Sequence, residues 1–529
     1  MAGRFKRAWS ALTGPDAKPA PAPRVNRRLR AYASAGMGVT ANWQPGSRDP
    51  NSEMVNRNSL ALTRERSRDL YHSSAWHRRV VEALANAIVS TGLRPTVNTG
   101  DTMTRHPLTG KMVRLDALVY ECWEKWSRHP VPGSSGTMAS LDQMAARTWL
   151  IDGEFLARFR ARRKEDMPGL PPIMIEPMDA TQLPVQKIEM VGNGLNRIIA
   201  GVEVDALGEK VAFHVLPEPP GSLFPFGAGV WDTQRIEASK IIHLFRQEHP
   251  GQMRGISLTA PVLKSIYLHD QFHEAIQVGA AVANDIAIIV NRKEADSGGM
   301  ADGAPLPPSQ ARDAAGNPEI DDEGRPIHEM GPGMVYQGNP DETIAVQQPQ
   351  APSNVSDYVR AILKEVAAGV GLSYYTLTGD MSDSSFAQAK LGLLEQGVAV
   401  ACLREQSYLP GYKRPLWRAW IDAGIVNGIF PNDLRLYDEE WSKPKTNSAD
   451  ALQEAKANLL RLQMCETNLT EIIESSGRDP DKVLEQYAKD MALLKKHGAV
   501  PLWDLKQVTA SGQAQAIVNE PDPNAPQKP

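Results

Sequence analysis

Two helical stretches separated by about sixty residues of irregular sequence constrain this chain more than any other feature. Over 260–287, Val262, Ile266, His269, His273, Ile276, Ala280, Ala283 and Ala287 share one face, and Lys264, Asp270, Glu274, Gln277 and Asp285 share the other. That stripe predicts an amphipathic helix, with Pro261 suited to a first-turn position where its missing N–H is not needed. Small residues crowd its second half (GAAVA, 279–283) and permit a neighbouring helix to approach closely. A second helix is expected over 354–370 from Val355, Val359, Ile362, Val366 and Val370, with Gly369 and Gly371 stopping it. Between the two, 291–350 runs through an acidic, loop-like segment (GGMADGAPLPPSQARDAAGNPEIDDEGRP) into GPGMVYQGNPDETIAV, which reads as short strands with turns. A connection this long is either disordered or a small subdomain. A polar loop, TGDMSDSS at 378–385, follows the second helix. A third helix is expected from Phe386 to about Gln406, striped by Phe386, Ala389, Leu393, Gly397 and Val400.

Upstream, the hydrophobic period changes twice. Helices are expected from about Asn56 to Ser90, over Asp116–Ser127 (Leu118, Cys122, Trp123 and Trp126 in a stripe) and over Leu141–Leu150. The period then becomes that of strands, at Glu154–Arg160, Ile173–Glu176 and Ile241–Phe245. The clearest hairpin runs from Ile198 to Leu216, its arms IIAGVEVD and KVAFHVL joined around Ala206, Leu207 and Gly208. Downstream, a proline-containing turn is expected at Pro410 and Pro415, then an aromatic cluster of Trp417, Trp420, Phe430 and Trp441. Final helices are expected over 449–465, 468–475 and 480–497. The basic, proline-rich 1–50 is expected to be mobile, and the tail from Ser511 disordered. The class is α+β, with a β-rich unit at 150–250 set into a helical protein.

Composition narrows the chemistry less. At 529 residues the chain suggests two to four structural units. A net charge of −4 argues against a polycation built to grip nucleic acid. Three scattered cysteines (Cys122, Cys402, Cys465) fit a reducing compartment and no disulfide scaffold. The longest apolar-leaning stretch, Ile276–Val290, is broken by Asn284 and Asp285 and falls short of the roughly 20 residues that span a bilayer.

A phosphate-binding glycine loop is absent: around Gly110–Lys111, Arg105 replaces the first glycine and Met112 the hydroxyl. GISLT at 255–259 lacks the second glycine of a nucleophile elbow. His269 and His273, four apart on a helix, could share a metal, but Asp270 and Gln271 stand where a zinc hydrolase carries glutamate, so packing or interface histidines are the reading. The run Asp321–Asp322–Glu323 lacks the alternating spacing of a cation loop. Arg162, Arg163 and Lys164 read as an exposed basic turn, with phosphate contact as the alternative. No catalytic constellation emerges.

Several segments resemble lambda-type phage portal proteins from about Tyr32 to His497. WEKWSRHP (123–130) and LDQMAARTWLIDGEFLARFR (141–160) resemble the family's paired-Trp motif and its strand entry at Asp152–Gly153–Glu154. RIIAGVEVDALGEKVAFHV (197–215) resembles its hairpin. ASKIIHLFRQEHPGQMRGISLTAPVL (238–263) is the most specific piece, and the block 330–396 adds a second. The chain departs from the family at Lys390, where an arginine is common, and in WSKPKTNSADALQEA.

The resemblance implies a non-enzymatic, cofactor-free portal fold: a mainly helical wing, stem and crown, a β-rich wing insertion and a small α/β clip. Its divisions would be a basic arm (1–50), wing (51–257), stem helix 1 (258–290), clip (291–350), stem helix 2 (351–371), tunnel loop (372–385), wing helix with aromatic segment (386–447), crown (448–498) and tail (499–529). It implies a dodecameric ring at one capsid vertex, assembled in the host cytoplasm, passing double-stranded DNA and nucleating the procapsid. Implied partners are the terminase large subunit, the major capsid or scaffold protein and head-completion proteins, with no membrane. Thr378, Gly379, Asp380, Met381, Ser382, Asp383, Ser384 and Ser385 would form the tunnel loop. Lys364 and Arg360 would face DNA, with pairing of Lys364 to Glu365 or a neighbour's Asp357 as the alternative. Asp321, Asp322, Glu323 and Arg325 would meet terminase or connectors. The rivals are a head–tail adaptor, against which the length speaks, and a metal-dependent hydrolase using His269 and His273.

Overall fold

The computed structural model describes residues 59–192, 196–221, 232–290, 334–337, 355–382, 386–442, 451–475 and 480–497. The arm 1–50, Asp321, Asp322, Glu323, Arg325, Asp383, Ser384, Ser385 and the tail 499–529 lie outside the described residues.

The N-terminal pattern resolves into α1 (Ser59–Ser73) and α2 (Ala75–Val89). They are separated by Ser74, whose side chain accepts the His77 N–H as an N-cap. Short strands β1 (Pro95–Val97), β2 (Met103–Arg105) and β3 (Met112–Arg114) lead to α3 (Leu115–Trp126) and α4 (Met138–Asp152). Thr137 caps the start of α4, and Gly153 ends it at φ 85°, in the left-handed region.

The β-rich unit follows as β4 (Glu154–Ala161), β5 (Ile173–Met178), β6 (Glu189–Val191), β7 (Asn196–Ile199), β8 (Val202–Val204), β9 (Lys210–Val215), β10 (Gln234–Glu237) and β11 (Ile241–Phe245). These form two antiparallel sheets, ordered β11-β4-β5 and β10-β9-β8-β7-β6. The first arm of the expected hairpin is therefore two strands, not one. Ala200 (φ 51°) and Gly201 (φ 85°) turn the chain between β7 and β8, and positive φ at both central residues is what a tight hairpin turn requires.

The second half holds α5 (Leu263–Asp285), β12 (Ile286–Val290), β13 (Met334–Gln337), α6 (Val355–Val370), α7 (Tyr374–Thr378) and α8 (Phe386–Leu403). The first long helix is shorter than expected and runs directly into β12, which pairs in parallel with β13. The segment after α6 is not wholly a loop, because Ser373 caps the short α7 there. The expected turn at Pro410 does not form. Arg404–Lys413 continues α8 in π-helical geometry and leads into α9 (Arg414–Val426), with Pro415 in its first turn. Wider i→i+5 turns tolerate a residue that breaks an ordinary α-helical ladder. β14 (Glu439–Trp441), α10 (Ala451–Gln463), α11 (Leu469–Ser475) and α12 (Pro480–Lys496) complete the chain, and β14 pairs antiparallel with β1.

One core unites residues far apart in sequence. Val80, Leu84 and Ile88 of α2 pack with Trp126, Trp149, Tyr408, Trp417 and Trp420. Trp417 stacks on Trp420 at 5.2 Å, and Trp123 lies within 6.0 Å of both and of Trp441. The aromatic segment expected from sequence is thus the floor of the core. Beside it Lys413 Nζ meets both Asp142 carboxylate oxygens at 3.0 and 2.9 Å and lies 4.5 Å from the Trp441 ring centre. Burial drives the Asp142 pKa up and the Lys413 pKa down, each opposed by the other's charge. No described helix is long and apolar enough to cross a membrane.

Candidate functional site

The segment that leads into α5 is fastened to the body by a buried charged node. Its centre is Glu154, the first residue of β4, fully buried. Arg254 Nε donates to its two oxygens at 3.1 and 2.8 Å, and Arg254 Nη2 also donates to Oε1. The other face of that guanidinium donates to the carbonyls of Leu183 (3.0 Å) and Ala200 (2.7 Å). Arg64 of α1 reaches Glu154 at 2.6 Å, and His243 of β11 at 3.1 Å. Lys210 Nζ lies 3.2 Å from His243 Nδ1. A lysine donating there assigns the imidazole proton to Nε2, which donates to Glu154. Burial pushes the Glu154 carboxyl up, but Arg254, His243 and Arg64 outweigh it and hold it well below the usual carboxylate range. Burial and the Lys210 charge lower His243 to about 4. Burial likewise lowers Lys210 to about 8.

Backbone contacts reinforce the node. A side chain at Gly153 would strike the Ile256 backbone, and one at Gly255 would strike the Gly153 carbonyl. Both positions must lack a Cβ for the two segments to touch. Gln252 knits the preceding loop, accepting from Glu248 N (2.9 Å) and donating to the Arg254 carbonyl (2.8 Å). Ser257 donates to the Leu150 carbonyl at 3.0 Å, and Thr259 Oγ1 lies 2.9 Å from His77 Nε2. Burial lowers His77 to about 4. Next to the node, Arg68 binds both oxygens of Asp152 at 2.7 and 2.6 Å.

A second polar group is exposed, alongside α6. Thr378 closes α7, and Gly379 follows at φ 72°. Asp380 accepts from the Ser382 backbone (3.0 Å) and hydroxyl (2.5 Å), and Tyr374 Oη lies 3.5 Å away. The Ser382 hydroxyl, then its backbone N–H, and further the charge of Arg360 lower the Asp380 pKa. Exposed Lys364 sits 5.7 Å from the centre of the Tyr374 ring. Thr378, Gly379, Asp380 and Ser382 thus lie alongside the middle of α6, near Arg360 and Lys364, with exposed Met381 beside them. α6 runs antiparallel to α5: Gly369 meets Val262, Ser265 donates to Glu365 at 3.0 Å, and the Phe272 and Tyr358 rings lie 5.0 Å apart.

The remaining sequence candidates do not converge. His269 and His273 are neighbours (ring centres 4.7 Å apart), but His269 is buried and 3.2 Å from Asp270, while His273 is exposed. Among the described residues no group of three His, Cys, Asp or Glu surrounds a point that could hold a metal ion. Arg162, Arg163 and Lys164 are exposed, and Lys164 donates to the Asn427 carbonyl at 2.9 Å. In the sequence Glu154 and Arg254 fall in two separate segments, and neither segment shows that they meet. The available signal was Arg64 on the otherwise inward face of α1, since an arginine there needs a buried counter-charge.

A model of phage portal proteins of the lambda family matches residues 37–404. The chain belongs to that family. A probable portal protein of Halomonas phage phiHAP-1 is 21% identical over 541 residues, covering 99% of this chain and 98% of the relative. The solved necks of gene transfer agent particles align more loosely. The neck of the empty particle, computed with C6 symmetry, gives a TM-score of 0.37 at 14% identity over 79% of this chain and 93% of its own. That of the native particle, computed with C12 symmetry, gives 0.37 at 15% over 78% and 94%. Overlays of that quality carry no argument here. Membership of the portal family rests on the family match, and it makes this a phage portal protein with an α+β fold.

Proposed function

We propose that twelve copies form a ring at one capsid vertex, in the virion, through which double-stranded DNA is packaged and ejected. In this reading α1–β11 and α8–β14 are the wing, α5 and α6 the stem, and α10–α12 the crown. Thr378–Ser385 is then the tunnel loop. Residues 291–350, with Asp321, Asp322, Glu323 and Arg325, are the clip that meets the terminase large subunit and later the head-completion proteins. Assembly in the host cytoplasm would involve the major capsid or scaffold protein and start the procapsid. No catalytic step is assigned to the chain, and DNA movement is left to the ATP-driven partner.

The observation that carries this reading beyond family membership is α8. Its Leu391 (60%), Leu393 (53%), Leu394 (61%) and Val398 (66%) stand exposed in the single chain. An exposed apolar surface of this kind marks an association site. Neighbouring protomers cover that surface. Electron micrographs of purified protein are expected to show annuli with a central hole, and a monomer at micromolar concentration would overturn the ring.

Lys364 and Arg360, in the middle of α6 beside the loop, are assigned to the bore. Sparse cations beside an acidic, hydroxyl-rich loop give DNA weak adhesion, which a conduit needs. Lys364→Ala is expected to lower DNA retention or packaging while rings still assemble. Packaging at the wild-type level would remove Lys364 from the bore.

A further inference from the structure

We infer that the Glu154 node is the registry device of this fold, fixing the direction in which α5 leaves the body. This rests on the reading of α5 as a stem helix only for its consequence, not for its geometry.

Three observations converge. First, α5 is held at its root. Val262, Leu263, Ile266 and His269 are buried, whereas no side chain from 271 to 280 is. The helix projects ~24 Å beyond His269 at 1.5 Å per residue, so a 10° change at the root displaces its far end by roughly 4 Å. Second, the burial of Val262 and Ile266 in the core holds that root without setting the register of the segment that feeds it. The segment feeding α5 meets the body at Gly153 and Gly255, backbone against backbone, with the Phe245 side chain beside Gly255. Third, the node supplies the direction that such contact lacks. Hydrophobic burial is non-directional, but a guanidinium presents its donors in a rigid planar fork. Arg254 uses that fork on Glu154 and on the Leu183 and Ala200 carbonyls together, and Arg64 and His243 fix the same carboxylate from α1 and β11. A one-residue slip of the 246–257 segment breaks every bond that Arg254 makes.

A device of this kind specifies geometry more than it stabilises, because buried ion pairs can be exchanged for apolar groups with little loss of stability. The full chain with Cys402→Ser and Cys465→Ser carries spin labels at Leu207→Cys and Val278→Cys. Both label sites are exposed, at 88% and 57%. The labelled chain is diluted in excess unlabelled chain, so that pulsed dipolar spectroscopy reads distances within one protomer. The parent is expected to give one narrow distance. The triple substitution Arg64→Met, Glu154→Leu, Arg254→Met is expected to melt within a few degrees of the parent and to give a distribution shifted by several ångströms or at least twice as broad. A folded triple variant with the parent's distance and width would overturn the proposal. If the triple variant does not fold, Arg254→Lys decides the matter: it retains the charge and loses the fork, and an unchanged distribution then overturns the proposal equally. Failure of the ring reading is seen separately, as a parent chain that forms no annuli while its distance stays narrow.

Discussion

The junction at Glu154 and the loop beside α6 are built from similar residues and use them in opposite ways. At the junction, Arg64, Arg254 and Glu154 are all buried, and each charge is met by protein. At the loop, Lys364 is exposed over an aromatic ring, and Asp380 is satisfied by its own loop. Charge turned inward fixes one geometry at high cost if broken. Charge turned outward stabilises little and stays available to a partner.

The largest expected effect tests the inward half. Glu154→Ala leaves two buried guanidiniums against each other, and chemical denaturation should show a loss of about 3–5 kcal/mol. A loss below about 1 kcal/mol would mean that the junction is as solvated as the loop.

Next comes pH. His77 and His243 are held near 4, below the ordinary 6.5. The unfolded chain therefore takes up protons below pH 6.5 that the folded chain refuses until about 4. Stability is complete above 6.5 and falls as pH drops towards 4, by on the order of 3 kcal/mol per histidine. Glu154, depressed rather than raised, adds its own loss only at lower pH. Melting curves from pH 7 to 4 measure the slope, and His77→Gln should make it shallower. A flat profile would place both rings in water.

Glycines separate the two regions more finely. Gly255→Ala forces a methyl into the Gly153 carbonyl and should cost roughly 1–3 kcal/mol. Gly379→Ala meets nothing within 4 Å and suffers only its positive φ, for about 1 kcal/mol. Equal losses in thermal melts would erase the distinction. Smallest of all, Lys364→Ala should leave stability within about 0.5 kcal/mol, so that a defect in DNA handling can be read without a folding defect.

Much of this was legible in the sequence, where one period dominates. The valine repeat placed α6 to within a residue, and the alternation at 154–160 and 241–245 placed β4 and β11. Reading failed where two rules compete. Pro410 ordinarily ends a helix, but the chain stays helical through it where Tyr408 and Tyr412 pack into the core and Lys413 pairs with Asp142. Ala200–Gly201 turns within what reads as one apolar arm. Of the loop group, Asp380, Arg360 and Lys364 were anticipated as residues, but the placement of Lys364 over Tyr374 was not. The node was invisible for a different reason. Its members lie 90 and 100 residues apart, and no local pattern carries a partner over that distance.

The pair beneath the tryptophans has a consequence for how the chain is made. Asp142 and Lys413 are separated by 271 residues, so at about 5–20 residues per second the lysine leaves the ribosome on the order of tens of seconds after the aspartate. Until then α4 cannot close its core over a carboxylate without leaving a charge stranded. The α4 face that carries Asp142 must wait for a lysine that arrives only after the whole projecting helix pair has been translated.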